Sequence, residues 1–456
     1  KEPFVYKIVE PIVDIMGDFY PEVKDSVPNL KKVIESEERR FLETIENGMD
    51  RIEEIMKSIK KKGDTVIPGK EAFTLYDTFG FPLEMTNEMA EEQGLKTDIE
   101  GFNSEMEKQR ERGKQSWKGS DPGFEAAFDE IIGIAGTTEF LGYEKESGES
   151  EIVLLYNETK RADAISEGDR GLLVLKATPF YGESGGQVGD TGLIVKGDSL
   201  FRVEDTKKHN KTIIHIGYVE KGEFRTGDKV QASIDTVNRN LIRANHTATH
   251  LLNAALHNVL GDHVKQAGSI VEPERFRFDF SHFNAMSDDE IEQIESMVNR
   301  KIWENIEVST EVMNIKEAIG KGATAVFDEK YEDTVRVVNV PGFSMELCGG
   351  THVSNTGKIG VFKILKESSP GAGVRRIEAV TLKGLLDRFM EHDRIISILA
   401  EKVNVPEAGL VKKVDEIITR TRSLEKETEK LKKSSLSSDI DSIISSGEDY
   451  NGVKII

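Results

Sequence analysis

Two short segments far apart in the chain carry matching spacings of metal-ligating side chains. His246 and His250 lie four apart in RANHTATHLLNAAL (243–256), and Cys348 and His352 lie four apart in MELCGGTHV (345–353), about a hundred residues later. The apolar run around the first pair reads as helix, where that spacing puts both imidazoles on one face. The second pair sits at a Gly349–Gly350 turn after a strand-like run, and a tight bend there brings His352 back beside Cys348. Three imidazoles and one thiolate suit a tetrahedral zinc ion. If both pairs reach one ion, folds that keep the two segments apart are excluded. The alternative is that each residue is ordinary: a buried cysteine is often only a small hydrophobe. The glutamate of the H-E-x-x-H metalloprotease helix is missing between the two histidines.

The rest of the composition narrows the class. A chain of 456 residues has room for about three domains. No apolar run approaches the roughly 20 residues that span a bilayer, and no signal-peptide pattern is visible. Cys348 is the single cysteine, so no internal disulfide forms, and a reducing, cytoplasmic setting is expected. The net charge of −21 opposes broad attraction to phosphate, which leaves local patches. One is EKQRERGKQSWK (107–118), with Arg110, Arg112 and Lys114. It reads either as a solvated helix face or as a phosphate-contacting surface.

The pattern along the chain predicts a multidomain α+β protein. Residues 1–118 read as a helical domain, with Phe41, Ile45, Met49, Ile52, Met56 and Ile59 at helical spacing and a break at YDTFGFP (76–82). Residues 119–235 hold short apolar runs between turn residues, the texture of a small antiparallel β-barrel. Residues 236–384 mix helices and strands around the four candidate ligands. Residues 385–456 read as a helical coiled-coil arm with a weak seam, Val414, Ile417, Thr421, Leu424, Thr428 and Leu431. The arm loosens at SSLSSD and ends in a strand-like GVKII.

At the ligand segments a family resemblance becomes plain. NHTATHLLNAAL with ELCGGTHV resembles the editing domain of alanyl-tRNA synthetases. LYDTFGFP, TPFYGESGGQVGDTG, HVKQAGSIV, RFDFSH, TGKIGVFKILKESS and GVRRIEAVT follow in the order of the bacterial-type members and cover nearly the whole chain. The resemblance implies hydrolysis of mischarged seryl- and glycyl-tRNA(Ala) at a site with one zinc ion per chain. It implies a chain that begins after the catalytic domain and ends as a C-terminal globular domain begins. No aminoacylation is then expected, with ATP and Mg2+ confined to the absent catalytic domain. The need for such a site follows from energetics, because an apolar alanine pocket rejects an added hydroxyl by only about a hundredfold.

The same resemblance supplies roles. Gln266 is expected to position water or substrate. From position on the histidine helix, apart from the resemblance, Thr247 and Thr249 are the nearest polar groups to the ion. Four protein ligands would fill a tetrahedral shell, so either Cys348 gives way to water, or the ion expands its coordination, or it mainly orients substrate. Both threonines have a plain alternative, a bond to their own helix backbone. Asp77 matches the acidic residue used at the identity base pair of the acceptor stem, and Arg375 and Arg376 are candidates for terminal phosphates, with Asp279 as a supporting residue. The glycine-rich GESGGQVGD (182–190) either guides the tRNA 3′ end or is a tight structural turn. The partner is tRNA(Ala). A monomer without membrane attachment is expected, with any dimer of the full-length protein formed through the missing C-terminal domain. The rival readings are a threonyl-tRNA synthetase-type or free-standing editing domain, and a non-catalytic zinc module that binds RNA.

Overall fold

The computed structural model describes residues 2–116, 125–325, 332–371, 373–446, 448–450 and 453–455. They fall into two units, Lys1–Lys383 and Gly384–Ile456. No helix among the described residues is long and apolar enough to cross a membrane.

The helical region of the first unit is built on α1 (Pro21–Lys62). Its inward stripe, Ile45, Ile52, Ile55, Met56 and Ile59, packs against α2 (Gly69–Asp77), α3 (Leu83–Glu92) and α4 (Ile99–Ser116) through Phe73, Leu75 and Phe102. Phe41 and Met49, at the same helical spacing, remain exposed. The break at YDTFGFP has a packing purpose. Gly80 takes a φ of 66°, which turns the chain and drops Phe81 into the core. Phe81 fits because position 48 of α1 is glycine: a Cβ there would lie 2.1 Å from the Phe81 ring.

The segment expected to open as barrel begins instead with a helix, α5 (Glu125–Ala135). The expected boundary at GSDPG (119–123) lies outside the described residues. Six antiparallel strands then close a barrel: β1 (Ser147–Asn157), β2 (Arg170–Leu175), β3 (Gly192–Lys196), β4 (Ser199–His209), β5 (Thr212–Lys221) and β6 (Lys229–Ile234). The ring order is β6–β3–β4–β5–β2–β1, and β1 pairs back onto β6. Leu155, Leu173, Leu175, Ile194, Phe201 and Val230 fill the interior. Strand β2 reads as a continuous apolar run because its outer face is covered too, by Phe128 and Ile131 of α5.

Beyond the barrel, α6 (Thr236–Leu260) starts at Asp235, whose carboxylate caps the amides of Val237 and Asn238. With α7 (Asp288–Trp303), which opens on a Ser287–Glu290 capping box, it covers a four-stranded antiparallel sheet. That sheet is β7 (Gln266–Val271), β8 (Phe276–Ser281), β13 (Val374–Thr381) and β12 (Phe362–Gly371), in that order. A separate three-stranded sheet, β9 (Ser309–Asn314), β10 (Thr334–Val340) and β11 (Ser344–Leu347), adds Val338 and Val340 to the same core. One core joins them, with Leu251, Leu252 and Leu256 of α6 against Phe276, Phe278 and Phe280 of β8.

Arg239, fully buried near the start of α6, ties this region to the barrel. Its guanidinium forks onto the Asp190 carboxylate, with Nε 2.8 Å from Oδ1, and donates to the carbonyls of Gly142 and Pro179.

The second unit contains most of α8 (Leu382–Val403), a turn with Asn404 at φ 53°, and α9 (Leu410–Ser446). Val414, Ile417, Leu424 and Leu431 are all exposed, and Thr428 turns its hydroxyl onto the Leu424 carbonyl. The stripe expected to form a seam is therefore uncovered in this chain. SSLSSD, expected to loosen the arm, continues α9, and the chain ends in a hairpin of Glu448–Tyr450 with Val453–Ile455.

Candidate metal centre

The fold brings the two distant ligand pairs together. His246 and His250 project from one face of α6, one turn apart, with ring centroids separated by 5.4 Å. Cys348 and His352 leave the end of β11, and the His352 ring lies 4.4 Å from that of His246 and 4.8 Å from that of His250. Ligand atoms of all four lie within 4.8 Å of one another. Cys348 Sγ is 3.4 Å from His246 Nε2 and 3.3 Å from His352 Nε2. For zinc with ordinary Zn–N and Zn–S bonds, a tetrahedron has edges of about 3.5 Å. The donor set and its spacing therefore fit zinc.

Each imidazole faces a polar partner with its other nitrogen. His250 Nδ1 lies 2.7 Å from a Glu346 carboxylate oxygen, and the other oxygen of that carboxylate accepts from Asn253 and Ser344. His352 Nδ1 meets the Thr247 hydroxyl at 3.2 Å. His246 Nδ1 meets Gln187 Oε1 at 2.8 Å. Partners of this kind orient ligating histidines and tune their basicity.

The ligand loop is clamped as well. Arg336 donates to the carbonyls of Cys348 and Gly350, each at 2.9 Å, and stacks over the Tyr143 ring at 4.3 Å. Tyr143 in turn donates to the Gly349 carbonyl at 2.7 Å. Neither Gly349 nor Gly350 takes a positive φ, so the turn does not need the conformational freedom expected of it. Gly350 is required for space: a Cβ there would lie 2.0 Å from the His246 ring. Beside the loop, a cavity of about 260 Å³ is lined by Phe140, Tyr143, Tyr181, Lys208, Lys211 and Gly349 among others.

Electrostatics within the protein prepare a thiolate. Burial opposes ionisation of Cys348, but His246, His352 and His250 outweigh it and hold the thiol well below its usual range. Burial, reinforced by the neighbouring His246, pushes His352 down to about 3. Burial also opposes a charge on His250, yet Glu346 and Cys348 prevail and raise it to about 10. A thiolate and a neutral imidazole, both half-buried, thus lie beside a buried, carboxylate-backed imidazole.

The other expected residues are distributed unevenly. Thr247 does bond the Arg243 carbonyl four residues back, but its oxygen also serves His352 and the Val353 amide. Thr249 bonds the Asn245 carbonyl. Gln266 begins β7, where its amide donates to Ser269. Arg375 is paired with Glu367, and Arg376 forks onto Asp279 at 2.8 and 2.7 Å, so both guanidinium groups already have carboxylate partners. Asp77 accepts from Gln109, and Arg110 is exposed beside Glu107. The side chains of Arg112 and Lys114 lie outside the described residues.

Sequence reasoning missed Glu346 and Gln187. Glu346 and Cys348 stand two apart at the end of a strand, where residues share a face, a usable signal. Gln187 lies in the glycine-rich loop 182–190, whose contact with the ligands depends on the docking of the barrel.

Comparison with known proteins places these features in a lineage. A family profile described as tRNA synthetases class II (A) matches residues 1–238. A second, described as Threonyl and Alanyl tRNA synthetase second additional domain, matches residues 335–378, which contain Cys348 and His352. The chain is 40% identical over 455 residues to the Alanine--tRNA ligase of Thermoanaerobacter pseudethanolicus (strain ATCC 33223 / 39E). It is 42% identical over 459 residues to that of Clostridioides difficile (strain 630). These alignments take in 100% of this chain and 52% of each relative, so the chain spans about half the length of the curated relatives it matches. One expectation is corrected. The match of a class II synthetase profile to residues 1–238 does not support setting the chain apart from aminoacylation.

Proposed function

The chain belongs to the class II (A) tRNA synthetase family, and from that premise we propose that its four-ligand centre edits tRNA(Ala) by hydrolysing mischarged seryl and glycyl esters. The observation that carries the reading is the convergence of buried His246 and His250 with half-buried Cys348 and His352, with Gln187, Thr247 and Glu346 behind the three rings. In the reaction, water adds to the ester carbonyl carbon, the bond to the ribose oxygen breaks, and that oxygen leaves with a proton as the terminal hydroxyl. A zinc ion held by the four side chains supplies Lewis acidity for this chemistry.

The protein's own groups do the rest. His246, His250, Cys348 and His352 would hold the ion, with Cys348 the ligand able to give way. Thr247 acts through His352, which it orients, and Thr249 lies on the same helix one turn from Asn245. Gln266 is the polar residue assigned to water or substrate. The cavity beside Gly349 offers aromatic rings and lysines to the nucleotide that bears the ester. Asp77, Arg110, Arg112 and Lys114 form the acceptor-stem contact. A terminal phosphate engages Arg375 and Arg376 by competing with Glu367 and Asp279.

In its full-length form the protein is proposed to be a cytoplasmic alanine--tRNA ligase of protein biosynthesis, using ATP and Mg2+ to charge tRNA(Ala). The alanine reading is favoured over a threonyl-type editing domain because the matched relatives are alanine--tRNA ligases. Deacylation of seryl-tRNA(Ala) beside seryl-tRNA(Thr), with Gln266→His as control, tests it. Preferential hydrolysis of the alanine-specific tRNA, impaired in the variant, is expected. Binding of tRNA without hydrolysis supports the non-catalytic zinc module instead.

A further inference from the structure

The barrel loop 182–190 ends beside the metal ligands, and what it delivers there is one side chain. Gln187 is completely buried. Its loop is pinned on both sides: the Val271 amide donates to the Gly186 carbonyl at 2.7 Å, and the Val188 amide to the Val271 carbonyl at 3.2 Å. Gly186, at φ 82°, leaves no room for a side chain, since a Cβ would lie 2.4 Å from Ser269 Oγ. The loop therefore docks tightly on β7 and holds the carboxamide in place.

We infer that Gln187 is a positioning residue that fixes the tautomer of His246 and thereby makes the metal centre a joint product of the barrel and α6. The bonding admits one assignment. The Thr351 backbone amide can only donate, and it points at Gln187 Oε1 from 2.8 Å. That atom must then be the carbonyl oxygen, with the amide nitrogen donating to Thr351 Oγ1 at 3.0 Å. A carbonyl oxygen cannot donate, so His246 Nδ1, 2.8 Å away, must carry the proton. The lone pair is left on Nε2, the nitrogen that faces Cys348. The same logic holds at His352, where the Thr247 hydroxyl has spent its proton on the Arg243 carbonyl. It differs in one respect: Thr247 belongs to the ligand helix itself, whereas Gln187 comes from another part of the chain.

The inference rests on the reading that the cluster holds zinc, and its test separates the two. Zinc affinity is measured by competition with a chromophoric chelator for the parent, Gln187→Met and Gln187→Glu, alongside the melting temperature of each metal-free protein. Met fills the space without accepting a bond, and loss of such a partner lowers affinity about 10–100-fold. Glu keeps both acceptor bonds and is expected to stay within about threefold of the parent. A parent that binds no zinc refutes the zinc reading. A parent that binds one zinc while Gln187→Met binds equally well refutes the role of Gln187, as does equal loss in both variants. The 15N spectrum of histidine-labelled, zinc-loaded parent gives an answer that does not depend on how the variants fold. His246 is expected to show a protonated Nδ1, and a metal-bound Nδ1 overturns the inference.

Discussion

Replacing Gly350 by alanine adds one methyl group and removes no ligand, yet the geometry predicts loss of the metal centre. The new Cβ would stand 2.0 Å from His246 Cε1, 2.5 Å from its Nδ1 and 3.0 Å from Gln187 Oε1. Ordinary contact begins near 3.4 Å, so ring or loop must move by about 1.4 Å. The ring cannot swing freely, because Gln187 holds one nitrogen and the other faces Cys348. The loop is held by Arg336 and Tyr143. Metal sites tolerate displacements of about 0.2 Å, so zinc affinity should fall at least tenfold, or about 1.4 kcal/mol. Overpacking of a tight site should lower folding stability by about 1–3 kcal/mol as well. Gly349→Ala is the matched control: nothing lies within 4 Å of its added Cβ, and its φ is not positive. Chelator competition and thermal melting of the two variants read both effects. Equal affinity in Gly350→Ala and the parent refutes the spatial argument, and an equal loss in Gly349→Ala shows that backbone freedom, not space, is what the turn requires.

Further outcomes follow from the barrel and its joint with α6. Asp190→Asn leaves the Arg239 charge buried without its partner, and urea unfolding should register a loss of about 3–5 kcal/mol. An unchanged midpoint would mean that the guanidinium is satisfied by the Gly142 and Pro179 carbonyls alone. His215 is buried and neutral: its Nδ1 donates to the Leu173 carbonyl, its Nε2 faces the Thr178 hydroxyl, and burial pushes its pKa down to about 4. The unfolded chain takes up this proton near 6.5 and the folded one only near 4. The stability it contributes is therefore complete above 6.5 and is lost as pH falls through that window, by up to about 3 kcal/mol. Melting curves of the parent should be steeper in pH between 6.5 and 4 than those of His215→Leu, and parallel curves would contradict this.

How much of this was legible in the sequence depended on the range of the interaction. The four candidate ligands could be named from spacing, since helix and turn periodicities are local. The barrel was legible as short apolar runs between turns, and the inward face of α1 as a repeat of isoleucines. Features set by tertiary contact were not. Phe41 shares the helical spacing but stays exposed, because the core of this region among the described residues begins at Ile45. Helix α5 was read as barrel because its short apolar content resembles the strands it covers. Gly350 looked like a conformational glycine and is a spatial one, which only the position of the His246 ring reveals. Thr247 and Thr249 look alike in sequence, yet only Thr247 faces His352. Gln187 was hidden in a glycine-rich loop whose purpose depends on a contact spanning some 160 residues, 187 to 351.

The central claim is that His246, His250, Cys348 and His352 hold a metal ion on which ester hydrolysis depends. It is tested most directly by stripping the protein of metal and titrating zinc back while the initial rate of seryl-tRNA(Ala) hydrolysis is followed. The account predicts a rate that starts near background and climbs linearly to a break at one equivalent of zinc. It predicts no such recovery in Cys348→Ala. A metal-free, folded protein that hydrolyses the ester at the full rate would contradict it.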